Sequence, residues 1–268
     1  MSITYKDGMI LPYYLPSVTY FNCNNTKLRK LPEMSNLTIL RCNNTNISII
    51  PEMPNLEKLD CSSTKITNIP YFPNLTNLDC SYTNINNIPE MLKLTELWCN
   101  ETNVKNIPYL PNLKVLRCRS SKIKSIPYLP NLEILNCSST NIRNIPELPN
   151  LKDLDCSSTK ITYIPELPNL KELWCYDTNI RSLPYLPNLE NIYTERRFYY
   201  IEGTNIPEYE VIDNKLHPHP KGQYVKALML SIHNKHGLTS IGMRDPLKIL
   251  GEMIFEEEEE DEEEFYYE

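Results

Sequence analysis

The chain has 268 residues and a formal net charge of −7, but ten of its 34 acidic residues lie between Glu256 and Glu268. The remaining body holds 24 acidic and 27 basic residues, which gives no electrostatic reason to expect nucleic-acid binding. Residues Met1 to Leu15 contain no apolar core of signal-peptide length and no stretch approaches the length of a membrane span, so we expect a cytosolic protein without membrane association.

All nine cysteines of the chain are spaced 19 residues apart. A fixed short period of this kind is typical of a solenoid, in which each repeat is one coil stacked on its neighbours. We therefore predict a solenoid over residues 18–194, preceded by a partial repeat at residues 1–17 that caps its first coil. The cysteines are Cys23, Cys42, Cys61, Cys80, Cys99, Cys118, Cys137, Cys156 and Cys175.

The aligned repeats share the pattern L-x-x-L-x-C-x-x-T-x-I-x-x-I-P-x-L-P-N. Around Leu59 and Cys61 apolar and polar residues alternate, which is the period of a strand with one buried face. Prolines such as Pro70 and Pro73 lack an N–H donor and fix φ, so the other half of the coil is not expected to be helical. The pattern predicts a β-rich solenoid with one short parallel strand per coil and an extended, polyproline-like outer wall.

This pattern resembles the core L-x-x-L-x-L-x-x-N-x-L of the leucine-rich repeat family, over about residues 18–194. The I-P-x-L-P part resembles the short, proline-walled repeats of bacterial type III effectors. Heavy use of Asn, Lys, Ile and Tyr is similar to that of repeat proteins of mimivirus-like giant DNA viruses, which would imply the cytosol of a host cell. Two framework positions differ from the family: cysteine replaces the third leucine, and threonine, or Ser121 once, replaces the asparagine.

Two columns of polar side chains are expected to hold the coils. In the family, an asparagine ladder bonds the backbone where the strand turns outward, and here threonines stand at that position. A second ladder of asparagines just before each strand is expected to supply the missing bonds through local turns. The threonines are Thr26, Thr45, Thr64, Thr83, Thr102, Thr140, Thr159 and Thr178, and the asparagines are Asn36, Asn55, Asn74, Asn112, Asn131, Asn150, Asn169 and Asn188.

The cysteines are interpreted as core residues that pack as small apolar side chains. An odd number at one buried position is a poor disulfide framework, and a reducing cytosol keeps thiols free. Parallel neighbouring side chains do not readily give the disulfide dihedral angle. Neither C-x-x-C pairs nor nearby histidines indicate a metal site, so we expect no metal and no cofactor.

The residues directly before the cysteines form the candidate binding surface, because in leucine-rich repeats such strand residues point to the concave face. From Arg41 onward they read Arg, Asp, Asp, Trp, then Arg, Asn, Asp, Trp. Aromatic and arginine anchors dominate the energetics of interfaces. With neighbouring turn residues, the candidate partner-binding residues are Arg41, Asp60, Asp79, Trp98, Arg117, Arg119, Asp155, Trp174 and Tyr176.

Two interpretations of this four-coil super-period stay open. A tandem duplication would have copied Trp98 and Trp174 passively, since framework and filler residues repeat together. Alternatively, both tryptophans contact a partner. Asp60 and Asp79 favour the second interpretation, because they would form an unfavourable like-charge pair with no evident reward inside the fold.

The repeat pattern ends beyond Thr194. We predict a C-terminal cap at residues 195–255 with two helices, which would cover the last strand. The first is expected over Gln223–His236 from its apolar spacing. The second is expected from Leu247 to about Phe255, after Asp245 as N-cap and Pro246 at the first helical position. All four histidines lie in this region, without the carboxylate or cysteine neighbours of a metal site. Residues 256–268 are expected to be a solvated acidic tail, or alternatively a docking segment for a basic partner.

The sequence therefore predicts a noncatalytic scaffold that binds a protein partner of unknown identity on its concave face. Some bacterial effectors with similar repeats carry a ubiquitin-ligase domain with a catalytic C-x-D motif, so an adaptor for a ligase or similar host complex is an alternative. Cys175 to Asp177 match those letters, but Cys175 is a framework position and no cysteine follows it. A structural virion component is a further alternative, and the sequence does not fix the oligomeric state.

Overall fold

The chain divides into two units, Met1–Glu195 and Arg196–Glu268. The computed structural model describes residues 1–200 and 207–218. No helix lies within those ranges, and so none of their segments is a helix capable of crossing a membrane. The two helices predicted at Gln223–His236 and from Leu247 to about Phe255, and the acidic tail, lie outside the described residues.

The first unit contains one parallel sheet of eleven strands in sequential order, which confirms the predicted solenoid of one short strand per coil. Each strand is three residues long and pairs in register with the next. The strands are β1 (Ser2–Thr4), β2 (Tyr20–Asn22), β3 (Ile39–Arg41), β4 (Lys58–Asp60), β5 (Asn77–Asp79), β6 (Glu96–Trp98), β7 (Val115–Arg117), β8 (Ile134–Asn136), β9 (Asp153–Asp155), β10 (Glu172–Trp174) and β11 (Asn191–Tyr193).

Alternation along each strand determines which side chains are buried. The central residue points inward, as Leu59 of β4 and Leu97 of β6 do at 2% and 0% exposure. Its two neighbours point away from the core, because successive strand residues alternate sides. This solvent-facing side of the sheet is here called the outer face, and it is distinct from the proline-rich outer wall of the coils. The isoleucines and leucines of the outer half of each coil meet these leucines in the core. The outer half has neither helix nor strand, in agreement with its prolines.

A tight turn leads into each strand. In one coil the Leu56 N–H donates to the Met53 carbonyl at 3.0 Å, with Pro54 and Asn55 between them. Proline suits the second position of such a turn because its φ is already fixed near the required value. The same bond recurs between Leu113 and Leu110 at 3.1 Å. The L-P-N part of the repeat therefore redirects the chain from the outer wall into the next strand.

The threonine column closes the turn that follows each strand. In every coil that carries it, the threonine hydroxyl donates to the carbonyl of the framework cysteine three residues earlier, at 2.6–2.8 Å. The residue before each threonine has φ between 51° and 58°, which requires a left-handed turn. Ser121 differs, since its backbone N–H reaches the Cys118 carbonyl at 3.2 Å and its buried hydroxyl has no hydrogen-bond partner of good geometry.

The asparagine column joins successive coils, which differs from the local turns expected from the sequence. Each asparagine amide donates to the carbonyl of a residue 20 positions earlier, in the preceding coil, at 2.7–3.1 Å. Asn74, for example, bonds to Pro54, and Asn112 bonds to Leu92. Lys93 stands at this position in one coil and donates to the side chain of Asn74 at 2.7 Å. This column therefore holds neighbouring coils together.

All nine cysteines are buried and free, which confirms their interpretation as core residues. The Cys61 and Cys80 thiols approach carbonyls of the next coil, those of Asp79 and Trp98, both at 3.4 Å. Burial raises the pKa of the Cys23 thiol to about 12 and raises the pKa of Cys61 well above its ordinary value. These thiols are therefore protonated packing residues rather than nucleophiles. Cys175, at 1% exposure, is not available as the nucleophile of a C-x-D motif.

Two features of the described chain were not predicted from the sequence. Strand β1 adds a parallel edge strand before the first full repeat. The second unit contains an antiparallel sheet of β12 (Phe198–Tyr200), β13 (Pro207–Ile212) and β14 (Lys215–Pro218). Asp213 and Asn214 join the last two strands with φ of 51° and 60°, and such residues tolerate the left-handed backbone of a tight hairpin.

Candidate functional site: the outer face of the sheet

The residues that end the strands β2 to β11 form one column on the outer face of the sheet, here named the sheet-face column. Strand pairing places each member beside the next, about 4.8 Å away by the usual strand spacing. The members are Asn22, Arg41, Asp60, Asp79, Trp98, Arg117, Asn136, Asp155, Trp174 and Tyr193. The column therefore brings together seven of the nine residues singled out from the sequence.

Asp60, Asp79 and Asp155 do have a function inside the fold, so the expectation that Asp60 and Asp79 have no evident reward inside the fold is wrong. One carboxylate oxygen of each accepts the backbone N–H two residues later, at distances of 2.9–3.2 Å. The Ser62 hydroxyl also donates to Asp60 at 2.8 Å. Acidic side chains commonly close turns in this way. The bonds stabilise the turn after the strand and occupy the Oδ1 atom of each carboxylate.

Asp60 and Asp79 remain electrostatically costly neighbours despite these bonds. Burial and the charge of Asp60 raise the pKa of Asp79 above its ordinary value, although the hydrogen bonds from Ser81 oppose the shift. Within the described residues, neither carboxylate lies in an ion pair. The turn bonds use one oxygen of each group, and no ion pair within the described residues neutralises either carboxylate.

The corresponding residues four coils later compensate one another. The Asn136 amide donates to the second carboxylate oxygen of Asp155 at 2.8 Å, while its own carbonyl oxygen accepts from Ser138. Trp174 stacks on Tyr193, with ring centroids 4.9 Å apart and an interplanar angle of 4°. In this part of the sheet the aromatic and polar groups of the column therefore satisfy one another.

Trp98 has a different environment from Trp174. Its side chain is 39% exposed. The Arg117 guanidinium lies 5.6 Å from its ring centroid, on the strand beyond it in the sheet. This is the distance of a cation–π contact. The neighbour on the other side is Asp79, so the ring lies between a cation and a carboxylate.

An open depression of about 340 Å³ lies on the outer face between β3 and β6. Its wall includes Arg41, Asp60, Asp79 and Trp98 of the sheet-face column. Lys58, Asn77 and Glu96, which begin the same strands, also line it, and the half-buried Ile39 adds apolar surface. Leu40, Leu59 and Leu78 form part of its floor, with their side chains buried in the core. Sequence reasoning placed Glu96 near Trp98 but missed Lys58 and Asn77, although their spacing of two from the column places them on the same face.

Arg119 and Tyr176 lie two residues beyond the ends of β7 and β10, in the turns. Both side chains are exposed. The Arg119 N–H donates to the Asn100 side chain at 3.0 Å, and the Tyr176 carbonyl accepts the Ser158 N–H at 2.7 Å. They border the sheet-face column without belonging to it.

The described residues contain no group of three or more His, Cys, Asp or Glu side chains that could hold a metal ion. The charged, polar and aromatic groups on the outer face are suited to recognition by charge, hydrogen bonds and aromatic contact. Arg41, Asp60, Asp79, Trp98 and Arg117 are close enough to act together.

Comparison with known proteins agrees with this architecture. A family model that describes two consecutive leucine-rich repeats matches four ranges of the chain, residues 35–73, 111–150, 130–169 and 149–188. No curated protein sequence matches the chain at a significant level.

Solved structures with similar folds include YopM, described as a leucine-rich effector protein, from Yersinia pestis. It is 24% identical with a TM-score of 0.60, and the match covers 72% of this chain and 65% of that one. YopM from Yersinia enterocolitica is 23% identical with a TM-score of 0.57, covering 69% and 48%. Internalin C2 from Listeria monocytogenes is 22% identical with a TM-score of 0.53, covering 60% and 81%. The match thus spans less than two thirds of either YopM chain, and the described solenoid has the leucine-rich repeat fold.

Proposed function

We propose that the protein is a noncatalytic scaffold that binds a protein partner on the outer face of its parallel sheet. The observation that carries the proposal is Trp98, an exposed aromatic side chain beside the charged depression between β3 and β6. Aromatic and arginine side chains at such places provide a large share of the binding energy of protein interfaces. The proposed site comprises Arg41, Asp60, Asp79, Trp98 and Arg117.

The division of labour within each coil supports this proposal. The leucine, cysteine, threonine and asparagine positions pack the core or bond the backbone, and they hardly vary from coil to coil. The residues on the outer face vary in charge and size although their backbone is the same. A surface that varies on a constant framework suits recognition, and stacked repeats present such a surface continuously.

Similar folds are found in protein assemblies. A chain of the octameric complex of Latrophilin 3, Unc5D and FLRT2 (LRR) is 18% identical to this chain with a TM-score of 0.57. At this identity the likeness extends to the fold alone. It supports a protein partner as the class of ligand and says nothing of which protein is bound.

We further propose that the protein works in a reducing compartment such as the cytosol. Nine free thiols in one column support this, because oxidising compartments favour disulfides. A solenoid whose thiols are all buried has no need of such bonds. Quantifying alkylated thiols in protein taken directly from its native source would test the idea, and any disulfide among the nine would contradict it.

Affinity capture with matched variants tests the binding face. Wild type, Trp98→Ala and a Tyr109→Ala, Tyr128→Ala double variant would be used against lysate of a candidate host, with circular dichroism to show that each is folded. Tyr109 and Tyr128 are each 60% exposed, but they follow the prolines of the outer wall instead of lying on the sheet. A partner lost only by Trp98→Ala supports the proposal. A partner lost only by the tyrosine variant places binding on the other wall and contradicts it.

A further inference from the structure

We propose that the depression between β3 and β6 receives an arginine side chain of the protein partner, with its guanidinium between Asp60 and Asp79 and against the ring of Trp98. The inference rests on the proposed function and adds the chemistry of the partner's anchor. Charge, shape and the aromatic wall each support it independently.

The charge argument begins with the two carboxylates. Their Oδ1 atoms are held by the turns that follow β4 and β5, so the side chains are fixed before any partner arrives. Arg41 and Lys58 line the same depression, yet no ion pair within the described residues joins either to Asp60 or Asp79. Two fixed carboxylates on adjacent strands provide a preformed site for a cation, and binding there costs little ordering of side chains.

The matching position of the second block shows what a compensated pair looks like. There Asn136 replaces the first aspartate and donates to Asp155 at 2.8 Å. The amide supplies from within the chain a side-chain N–H donor to the second carboxylate oxygen, and no described residue provides that bond to Asp60 or Asp79. An external donor at Asp79 would make the bond that Asn136 makes at Asp155.

The shape of the site favours arginine over a smaller cation. A space of about 340 Å³ with Ile39 and Trp98 on its wall can receive an apolar stem as well as a charged head. A guanidinium has five N–H donors in a planar fork, so it can donate to two carboxylates while its plane lies on a ring. A lysine ammonium is compact and cannot stack in this way. Asp60 and Asp79 also belong to no group that could coordinate a metal within the described chain.

Trp98 supplies the remaining wall, and the chain itself shows that its ring accepts a guanidinium. Arg117, on the strand beyond it, lies 5.6 Å from the ring centroid. A second guanidinium arriving from the β5 side would contact the part of the ring that lines the depression. Desolvated contacts of this kind are among the more favourable cation–π interactions.

The test uses nuclear magnetic resonance of the full chain, whose only two tryptophans give two indole N–H signals. The probe is N-acetyl-arginine methylamide, and the matched control is its neutral citrulline counterpart, which keeps the shape and loses the charge. We expect arginine to shift the Trp98 signal in a saturable way, with little change at Trp174. Trp98→Phe and Trp174→Phe variants assign the two signals.

A pair of identical substitutions four coils apart provides the control for folding. Asp79→Asn keeps an oxygen that can accept the turn bond and is expected to weaken the response to arginine about tenfold, the scale of one charge-assisted hydrogen bond. Asp155→Asn changes the same column in the second block and should leave the response unchanged. No shift at Trp98, an equal shift with citrulline, or an unaltered response in Asp79→Asn would overturn the inference.

The outcomes separate this inference from the proposed function. If arginine has no effect but Trp98→Ala still loses the captured partner, the sheet face binds protein through other groups and only the arginine inference fails. If Trp98→Ala retains a partner that the outer-wall tyrosine variant loses, the proposed function fails whatever the arginine titration shows.

Discussion

The two four-coil blocks of the solenoid, β3–β6 and β7–β10, share a framework and differ in how their outer faces are satisfied. In the second block Asn136 bonds to Asp155 and Trp174 stacks on Tyr193. In the first block Asp60 and Asp79 lack such a donor, and Trp98 is exposed beside a depression. Two replacements account for the difference. Asn136 stands in the second block where the first has Asp60, and Tyr193 follows the second block where Arg117 follows the first.

This comparison also bears on whether the four-coil super-period reflects passive duplication or contact of both tryptophans with a partner. A duplicated block accounts for the shared framework, but the copies are not equivalent now. Trp174 stacks on Tyr193, whereas Trp98 has the Arg117 guanidinium against its ring. The two tryptophans therefore call for separate tests.

The largest expected effect tests whether the frameworks of the two blocks are alike. Leu97 and Leu173 are both 0% exposed at the centre of corresponding strands. Replacing either by alanine should lower the free energy of unfolding by about 3 kcal/mol, because each leaves a cavity in the same kind of core. Chemical denaturation measures both. Losses that differ by more than about half of that value would show that the blocks are not packed alike.

The tryptophans should differ in what their removal costs the fold. Trp174→Ala removes the stack on Tyr193 and should lower the free energy of unfolding by about 1 kcal/mol more than Trp98→Ala does. Thermal melts of the two variants against wild type provide the measurement. Equal losses would mean that the stack contributes nothing to stability, and a larger loss for Trp98→Ala would reverse the comparison.

Exchanging the amide and the carboxylate should change stability in opposite directions. Asp60→Asn relieves the like-charge pair and gives Asp79 the donor that Asn136 provides in the second block, so we expect a gain of about 0.5–1 kcal/mol. Asn136→Asp should lose a similar amount. Denaturation midpoints of the two variants would show it, and a destabilised Asp60→Asn would mean that the second carboxylate oxygen has a use inside the fold.

The smallest effect is a dependence of stability on pH. Burial and Asp60 raise the pKa of Asp79 above 3.8, so the folded chain holds this proton more tightly than the unfolded chain does. The free energy of unfolding contributed by Asp79 should therefore fall as pH rises from 3.8 through the raised value, then level off. Subtracting the curve of Asp79→Asn isolates this part. A difference that rises with pH would contradict the direction of the shift.

Sequence reasoning predicted the features that repeat along the chain and missed hydrogen bonds that only the three-dimensional arrangement shows. The period of the cysteines and the alternation around Leu59 were sufficient for the strands, since both follow from local rules. The bond between Asn74 and Pro54 crosses coils, and no local pattern distinguishes it from a turn. The bonds that give Asp60 and Asp79 an internal function likewise required the geometry of the turn.

The stack of Trp174 on Tyr193 shows the same limit. In the sequence the column is marked by the cysteine that follows each member, and Thr194 replaces that cysteine in the last coil. Tyr193 therefore gave no signal in the sequence, although strand pairing places it directly beside Trp174. Strand β1 and the sheet of the second unit gave none either, because they lie outside the 19-residue pattern.

The most direct test of the open first block compares partner capture by Trp98→Ala and Trp174→Ala, both shown to be folded by circular dichroism. The account predicts that Trp98→Ala loses the partner held by wild type and that Trp174→Ala keeps it. Loss of the partner in Trp174→Ala with retention in Trp98→Ala would place binding on the second block and contradict the account.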